Sequence, residues 1–277
     1  MECFYINLAS ATERRERIER SFASNRKPGW SLTRVDAITT DNVEKHQVPG
    51  RIRAAEKACL LSHTLALGLN KGSGQPFLVL EDDAEFGPET CFAIEAAAEK
   101  AKHLGNWDLI FTDVITPMPQ DMMRLAIERM RYKSNSAPSL LSLRGMCFAG
   151  TTAYLVNPNS VDRLYNSLKE LSSMELPYDL LLRNWVSSGQ VFAYAAFPFL
   201  TTVRVGPQDS SVQLKGDYKA NLAWDSFRRS MWIHASSEDT HANLSHLANQ
   251  IESPSALSIA LSLAIALEVT TAATAPA

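Results

Sequence analysis

Three consecutive acids, Glu81, Asp82 and Asp83, close the apolar run Phe77-Leu-Val-Leu80. Adjacent carboxylates repel one another, so a chain that places three together needs a positive partner for them. A hard divalent cation is one such partner, because it takes oxygen ligands and bridges to phosphate oxygens. An apolar run of this length, with aromatic and β-branched members, suits a strand buried on both faces. The carboxyl end of such a strand is where open α/β sheets receive ligands. The same triplet also fits a solvated turn, or the N-terminal charge of a helix beginning near Pro88.

Three further groups have residue types that do chemistry. Asn7 ends an apolar stretch and is followed by Arg14, Arg15 and Arg17. A strand leading into a helix would set Asn7 and the helix N-terminus at one edge, a geometry that suits a nucleotide and its phosphates. A Glu/Arg-rich helix reads equally as a solvated face. Glu56, Cys59 and His63 recur at i, i+3 and i+7, one side of a helix, with Ser62 beside them. His63 is a candidate for contact with substrate or metal, or a structural histidine, whereas Cys59 reads as packed and inert. Asp179, after Pro177-Tyr178, lies in the first turn of a helix. The helix dipole accounts for it, and an acid there also suits a general base for a hydroxyl.

The elements that must position these groups alternate. Strands are expected at 3–8, 31–37, 77–80, 107–112, 140–143, 152–156 and 191–197. Helices are expected at 13–23, where Ser10-Ala-Thr-Glu13 has capping-box spacing, and at 53–70, 89–103, 158–171 and from Pro177. Residues 39–49 read as a polar loop. The segment 116–138, with Pro117, Pro119 and Pro138, reads as an insertion. Strands alternating with helices give an α/β sheet, largely parallel in its first half. The body ends near residue 215, and 216–277 forms an extension expected to be helical. Its apolar stretch Ala256–Leu267 is too short to span a bilayer and reads as a helix packed on the body.

The bulk properties are those of a globular chain: 277 residues, 45% hydrophobic, 21% charged, net charge −3. That charge gives no reason to expect nucleic acid. Four cysteines, scattered and without a CxxC pair, argue against a cysteine-built zinc site and for a reducing compartment. The N-terminus has no basic n-region and no long apolar h-region, so a cytoplasmic location is expected.

In order, the segments Phe4-Tyr-Ile-Asn-Leu8, Glu13-Arg-Arg-Glu-Arg17, Val35-Asp-Ala37, Ala55-Glu-Lys-Ala-Cys-Leu-Leu-Ser-His63 and Leu78-Val-Leu-Glu-Asp-Asp83 resemble glycosyltransferase family 25. That family includes bacterial lipopolysaccharide galactosyltransferases and procollagen galactosyltransferases. Gly150-Thr-Thr-Ala-Tyr-Leu155, Pro177-Tyr-Asp179, Phe197-Pro198 and Gln208-Asp-Ser-Ser211 are similar too, so the resemblance covers about residues 2–215. The family's Gly-Glu-Ile-Gly is replaced by Ala55-Glu-Lys-Ala58, which removes two glycines and any close backbone approach they allow.

The resemblance implies a GT-A-type fold, a Rossmann-like mixed sheet flanked by helices. It implies an inverting transfer of a hexose, commonly galactose, from a UDP-sugar to a glycan or glycolipid acceptor, assisted by Mn²⁺ or Mg²⁺. Asp83 and Glu81 are then the metal ligands, and Asn7, Arg14, Arg15, Ser62, His63, Glu81 and Asp82 the donor contacts. Asp179 is the candidate base, and Asp209 or His234 a further metal ligand. A cytoplasmic enzyme at the inner face of a bacterial membrane, with peripheral contact to it, fits that branch. The alternative is a catalytically silent relative that binds a nucleotide sugar or serves as a scaffold; the two missing glycines favour it.

Overall fold

The computed structural model describes residues 1–132, 137–203 and 218–236, with 238 and 242. In chain order its first half holds β1 (Glu2–Asn7), α1 (Thr12–Asn25), β2 (Ser31–Asp36), α2 (Thr40–Lys45), α3 (Ala54–Leu69), β3 (Phe77–Glu81), β4 (Ala84–Glu85), α4 (Thr90–Ala101) and β5 (Leu109–Phe111). The second half holds α5 (Pro119–Arg131), β6 (Ser139–Ser142), β7 (Ala153–Val156), α6 (Val161–Lys169), α7 (Tyr178–Ser188), β8 (Ala193–Phe197), β9 (Thr202–Val203) and α8 (Tyr218–Ser230).

A mixed sheet of seven strands, in the order β2-β1-β3-β7-β5-β8-β6, is flanked by helices. The expected α/β class holds. β1 pairs in parallel with β2 and β3, whereas β7 runs antiparallel between β3 and β5. This reversal decides where the site forms. It carries the start of β7 to the edge where β1, β3 and β5 end.

Alternation along the strands fills two cores. Phe77 and Val79 face a core shared with Leu60 and Leu67 of α3, Leu164 of α6 and Leu182 of α7. Leu78 and Leu80 face the opposite core, with Ile18 and Phe22 of α1 and Ile94 and Ala97 of α4. β3 is therefore apolar on both faces because helices cover both.

Three expectations need correction. The Ser10–Glu13 capping box does not form: Ala11 is the N-cap of α1, with no side-chain cap. That turn is closed by the Ala11 amide donating to the Leu8 carbonyl (2.9 Å) and by Asn7 Nδ2 donating to the Ala11 carbonyl (3.1 Å). A capping box forms instead at Thr39 and Asn42 and starts α2 inside the expected loop; its one buried residue, Val43, gives too little periodicity to read as a helix. The segment read as an insertion contains α5. Met122, Leu125 and Ala126 lie on one side of it and are buried. Pro119 occupies the first turn, where the missing N–H costs nothing.

Helix α8 is packed into the body. Ala223, Phe227 and Met231 belong to the larger core. The Phe199 amide donates to the Met231 carbonyl (2.9 Å), and the Ile233 amide to the Phe199 carbonyl (2.8 Å). The Ala256–Leu267 stretch and the Gln208–Ser211 segment lie outside the described residues. No helix among the described residues is long and apolar enough to cross a membrane.

Phe227 is 1% exposed, so Phe227→Ala should lower the unfolding free energy by about 3–5 kcal/mol, read by urea denaturation of the full chain. A loss under about 1 kcal/mol would show that α8 is not part of the core.

Candidate active site

The acidic triplet sits at the end of β3, and its three carboxylates meet different fates. Asp82 is buried and fully engaged. Asn7 Nδ2 donates to one oxygen at 2.7 Å, and the Arg14 guanidinium donates to the other. Asn7 is in turn fixed by Arg34, whose Nε donates to Asn7 Oδ1 at 3.0 Å. β1, α1, β2 and β3 are thus joined through one carboxylate. Arg14 holds its charge more firmly than usual: burial opposes the charge, but Asp82, Asp83 and Glu81 outweigh it.

Glu81 is held from the other side. Thr151 Oγ1 donates to its Oε1 at 2.7 Å, and His63 Nε2 lies 3.4 Å from the same oxygen. Burial alone would raise the Glu81 pKa, yet His63, Thr151 and Arg14 bring it below the usual value. His63 is buried in α3. Its Nδ1 bonds the Tyr154 hydroxyl at 2.9 Å, which bonds the Tyr178 hydroxyl at 3.1 Å, and its ring stacks on Tyr178 at 4.4 Å between centroids.

Asp83 is different. Its Oδ1 is buried and has no hydrogen-bond partner among the described residues. Burial pushes its pKa up to about 7, with Glu81 and Asp82 adding to the rise and Arg14 and Arg228 opposing it. A buried carboxylate oxygen left without a donor, beside a second acid, is the environment a hard cation relieves. Asp83 with Glu81 therefore fits the Mn²⁺ or Mg²⁺ expected from the sequence.

The segment before β7 connects these parts. The Glu81 amide donates to the Thr152 carbonyl at 2.7 Å. The Gly150 amide donates to Asp179 Oδ2 at 3.0 Å, while Asp179 Oδ1 accepts from the Leu180 amide at 2.9 Å. Gly150 has φ +85°, a conformation that favours glycine. Arg228 of α8, 3% exposed, donates to Thr152 Oγ1 at 3.2 Å and lies 3.5 Å from Asp113 and 3.3 Å from Asp225.

The structure thus brings Asn7, Arg14, His63, Glu81, Asp82 and Asp83 to one edge of the sheet and ties Asp179 to it through Gly150. Ser62 supports from behind: it accepts the Ile38 amide at 2.8 Å and donates to the Ala58 carbonyl at 2.7 Å. Arg15 acts electrostatically on Tyr5. His234 Nε2 accepts the Glu89 amide at 3.3 Å. Asp209 lies outside the described residues.

Thr151, Thr152, Tyr154, Tyr178, Arg34 and Arg228 were not singled out as site residues from the sequence. The Gly150–Leu155 segment had a signal in its resemblance, but Arg228 had none.

Residues 1–182 match the model of glycosyltransferase family 25, described as lipopolysaccharide biosynthesis proteins. The chain belongs to glycosyltransferase family 25. The family match runs from β1 into the first half of α7 and takes in the acidic triplet, His63, the Gly150–Thr152 segment and Asp179. No curated protein matches the chain. Among solved structures, mouse xyloside xylosyltransferase 1 in its apo form is similar at 12% identity and a TM-score of 0.34; the match covers 67% of this family 25 chain and 62% of that one. The chain thus spans less than two thirds of that enzyme's length.

The Arg228 cluster makes a pH-dependent contribution to stability. Burial raises the Asp113 pKa from its ordinary 3.8 to about 6, with Arg228 and Thr201 opposing the rise and Glu81 and Asp225 adding to it. A carboxyl group whose folded pKa lies above its unfolded one favours folding most when protonated, below about 3.8, and loses that contribution as pH rises through about 6. Wild-type stability relative to Asp113→Asn should therefore fall between pH 4 and 6 and stay level above that. A difference that is flat across the window in urea titrations at each pH would refute the shift.

Proposed function

We propose that this family 25 member transfers a hexose, galactose being the family's common donor sugar, from a UDP-sugar to a glycan acceptor with inversion at the anomeric carbon. The glycan of a bacterial lipopolysaccharide is the acceptor class that the family description supports. The observation that carries the reading is the buried oxygen of Asp83, which has no hydrogen-bond partner among the described residues, beside a tethered Glu81.

Asp83 and Glu81 would hold the Mn²⁺ or Mg²⁺, which when bound neutralises the diphosphate leaving group. Asn7 and Arg14 line the nucleotide side and keep Asp82 in place. His63 and Ser62 support the floor. In the transfer, an acceptor hydroxyl oxygen attacks the sugar C1 as the bond from C1 to the phosphate oxygen breaks, and its electron pair leaves with the diphosphate. The hydroxyl proton passes to a carboxylate on the opposite face. Asp179 suits that role: two backbone amides fix its orientation, and each oxygen keeps a lone pair for a proton.

Calorimetric titration of UDP with and without Mn²⁺ tests the donor site. Metal-dependent binding is expected in the wild type and lost in Asp83→Asn. A variant that binds UDP and turns over like the wild type would remove Asp83 from the metal site. Asp179→Asn should keep UDP binding and lose about 10²–10⁴-fold in transfer rate; an unchanged rate would assign the base elsewhere. A wild-type chain that binds UDP with metal but transfers none of a panel of UDP-sugars, to water or to lipopolysaccharide fragments, would favour the silent relative.

A further inference from the structure

Cys59 and His63 lie one turn apart on α3 and face the end of β3. Among the described residues, one ligand atom each from Cys59, His63 and Glu81 lie within 4.8 Å of one another. Cys59, read from the sequence as packed and inert, thus lies beside two further groups of metal-ligating type. The three types differ in chemistry from the acids that suit Mn²⁺: a thiol and an imidazole select a softer ion.

We propose that Cys59, His63 and Glu81 form a zinc site, separate from the hard-cation ligand Asp83 and sharing only Glu81 with it. One of the three ligand pairs already has the spacing that zinc needs, and the Cys59 thiol lies within 4.8 Å of both partners. Zn–S of about 2.3 Å and Zn–N or Zn–O of about 2.0–2.2 Å put tetrahedral ligand atoms roughly 3.3–3.8 Å apart. His63 Nε2 and Glu81 Oε1 are already 3.4 Å apart. The surroundings also match those of a zinc-bound histidine, whose second ring nitrogen is held by an oriented partner. With Nδ1 protonated, His63 donates to Tyr154, which donates to Tyr178, and Nε2 presents its lone pair to the ion. The stacked Tyr178 ring fixes the imidazole plane, and Thr151 orients Glu81. Three protein ligands leave the fourth position open, on the side where the Glu81 side chain is 30% exposed.

The assignment does not depend on the donor reading, and cobalt(II) tests it as a coloured surrogate for zinc. Titrated into the reduced, metal-free full chain, it should give a thiolate-to-cobalt charge-transfer band and tetrahedral d–d bands at one equivalent, both abolished by zinc. Cys59→Ser should lose the charge-transfer band. Tyr154→Phe should keep it and bind about 10–100-fold more weakly, as expected for an outer partner. Asp83→Asn should keep the band in full even where UDP binding is lost, which separates this site from the donor site. No charge-transfer band in the wild type, the same band in Cys59→Ser, or its loss in Asp83→Asn would overturn the proposal. Should Cys59→Ser fail to fold, alkylation of the wild type read peptide by peptide decides: zinc should protect Cys59, and equal labelling with and without zinc would overturn the site.

Discussion

The contact between Asp82 and Arg14, completed by Asn7, is the constraint on which the candidate site depends. Removing a carboxylate from water costs several kcal/mol unless a charge and hydrogen bonds replace the solvent. Here both oxygens of Asp82 have donors, one from β1 and one from α1. The contact sets where α1 begins relative to the sheet edge. It also frees the flanking acids from any need for the same cation. Glu81 turns to Thr151 and His63, and Asp83 keeps a buried oxygen without a hydrogen-bond partner among the described residues. Three like charges in a row are tolerable because each has a separate environment.

The reversed strand β7 supplies the second set of constraints. Running against β3 and β5, it delivers Gly150, Thr151 and Thr152 to the edge where its neighbours end. Through these three residues Glu81, Asp179 and Arg228 are joined by direct hydrogen bonds. A displacement of α7 or α8 therefore reaches the acidic triplet through a short path of directional contacts.

Much of this was legible in the sequence, for identifiable reasons. β3 was legible because burial on both faces leaves an uninterrupted apolar run, and the triplet because acids after such a run are conspicuous. α3 was legible from periodicity, and α7 from Pro177 at its N-cap and Asp179 in its first turn. The failures also have physical causes. Pro119 at a helix start looks like Pro in a loop until the apolar spacing behind it is weighed. The capping box of α1 was outcompeted by a tether from Asn7, a contact that no local pattern records. Arg228 could not be found at all, because its partners Asp113 and Thr152 lie far away in sequence and meet it only after the sheet has formed. The antiparallel insertion of β7 is equally a property of the assembled sheet.

The charge balance at this edge bears on what it can bind. Among the described residues, Glu81, Asp82, Asp83, Asp113 and Asp225 face Arg14 and Arg228, and each arginine is already committed to an acid. Such a surface repels a bare diphosphate and attracts a cation. Asp83 Oδ1, which has no hydrogen-bond partner among the described residues, is the point at which a cation would offset that charge. Arg228 limits the excess: from α8 it lowers the cost of ionising Asp83 and Asp113 without hydrogen-bonding to Asp83 Oδ1. α8 therefore contributes both Arg228 and its own Asp225 to an edge whose other acids come from elsewhere in the chain, and Ala223 and Phe227 hold it there.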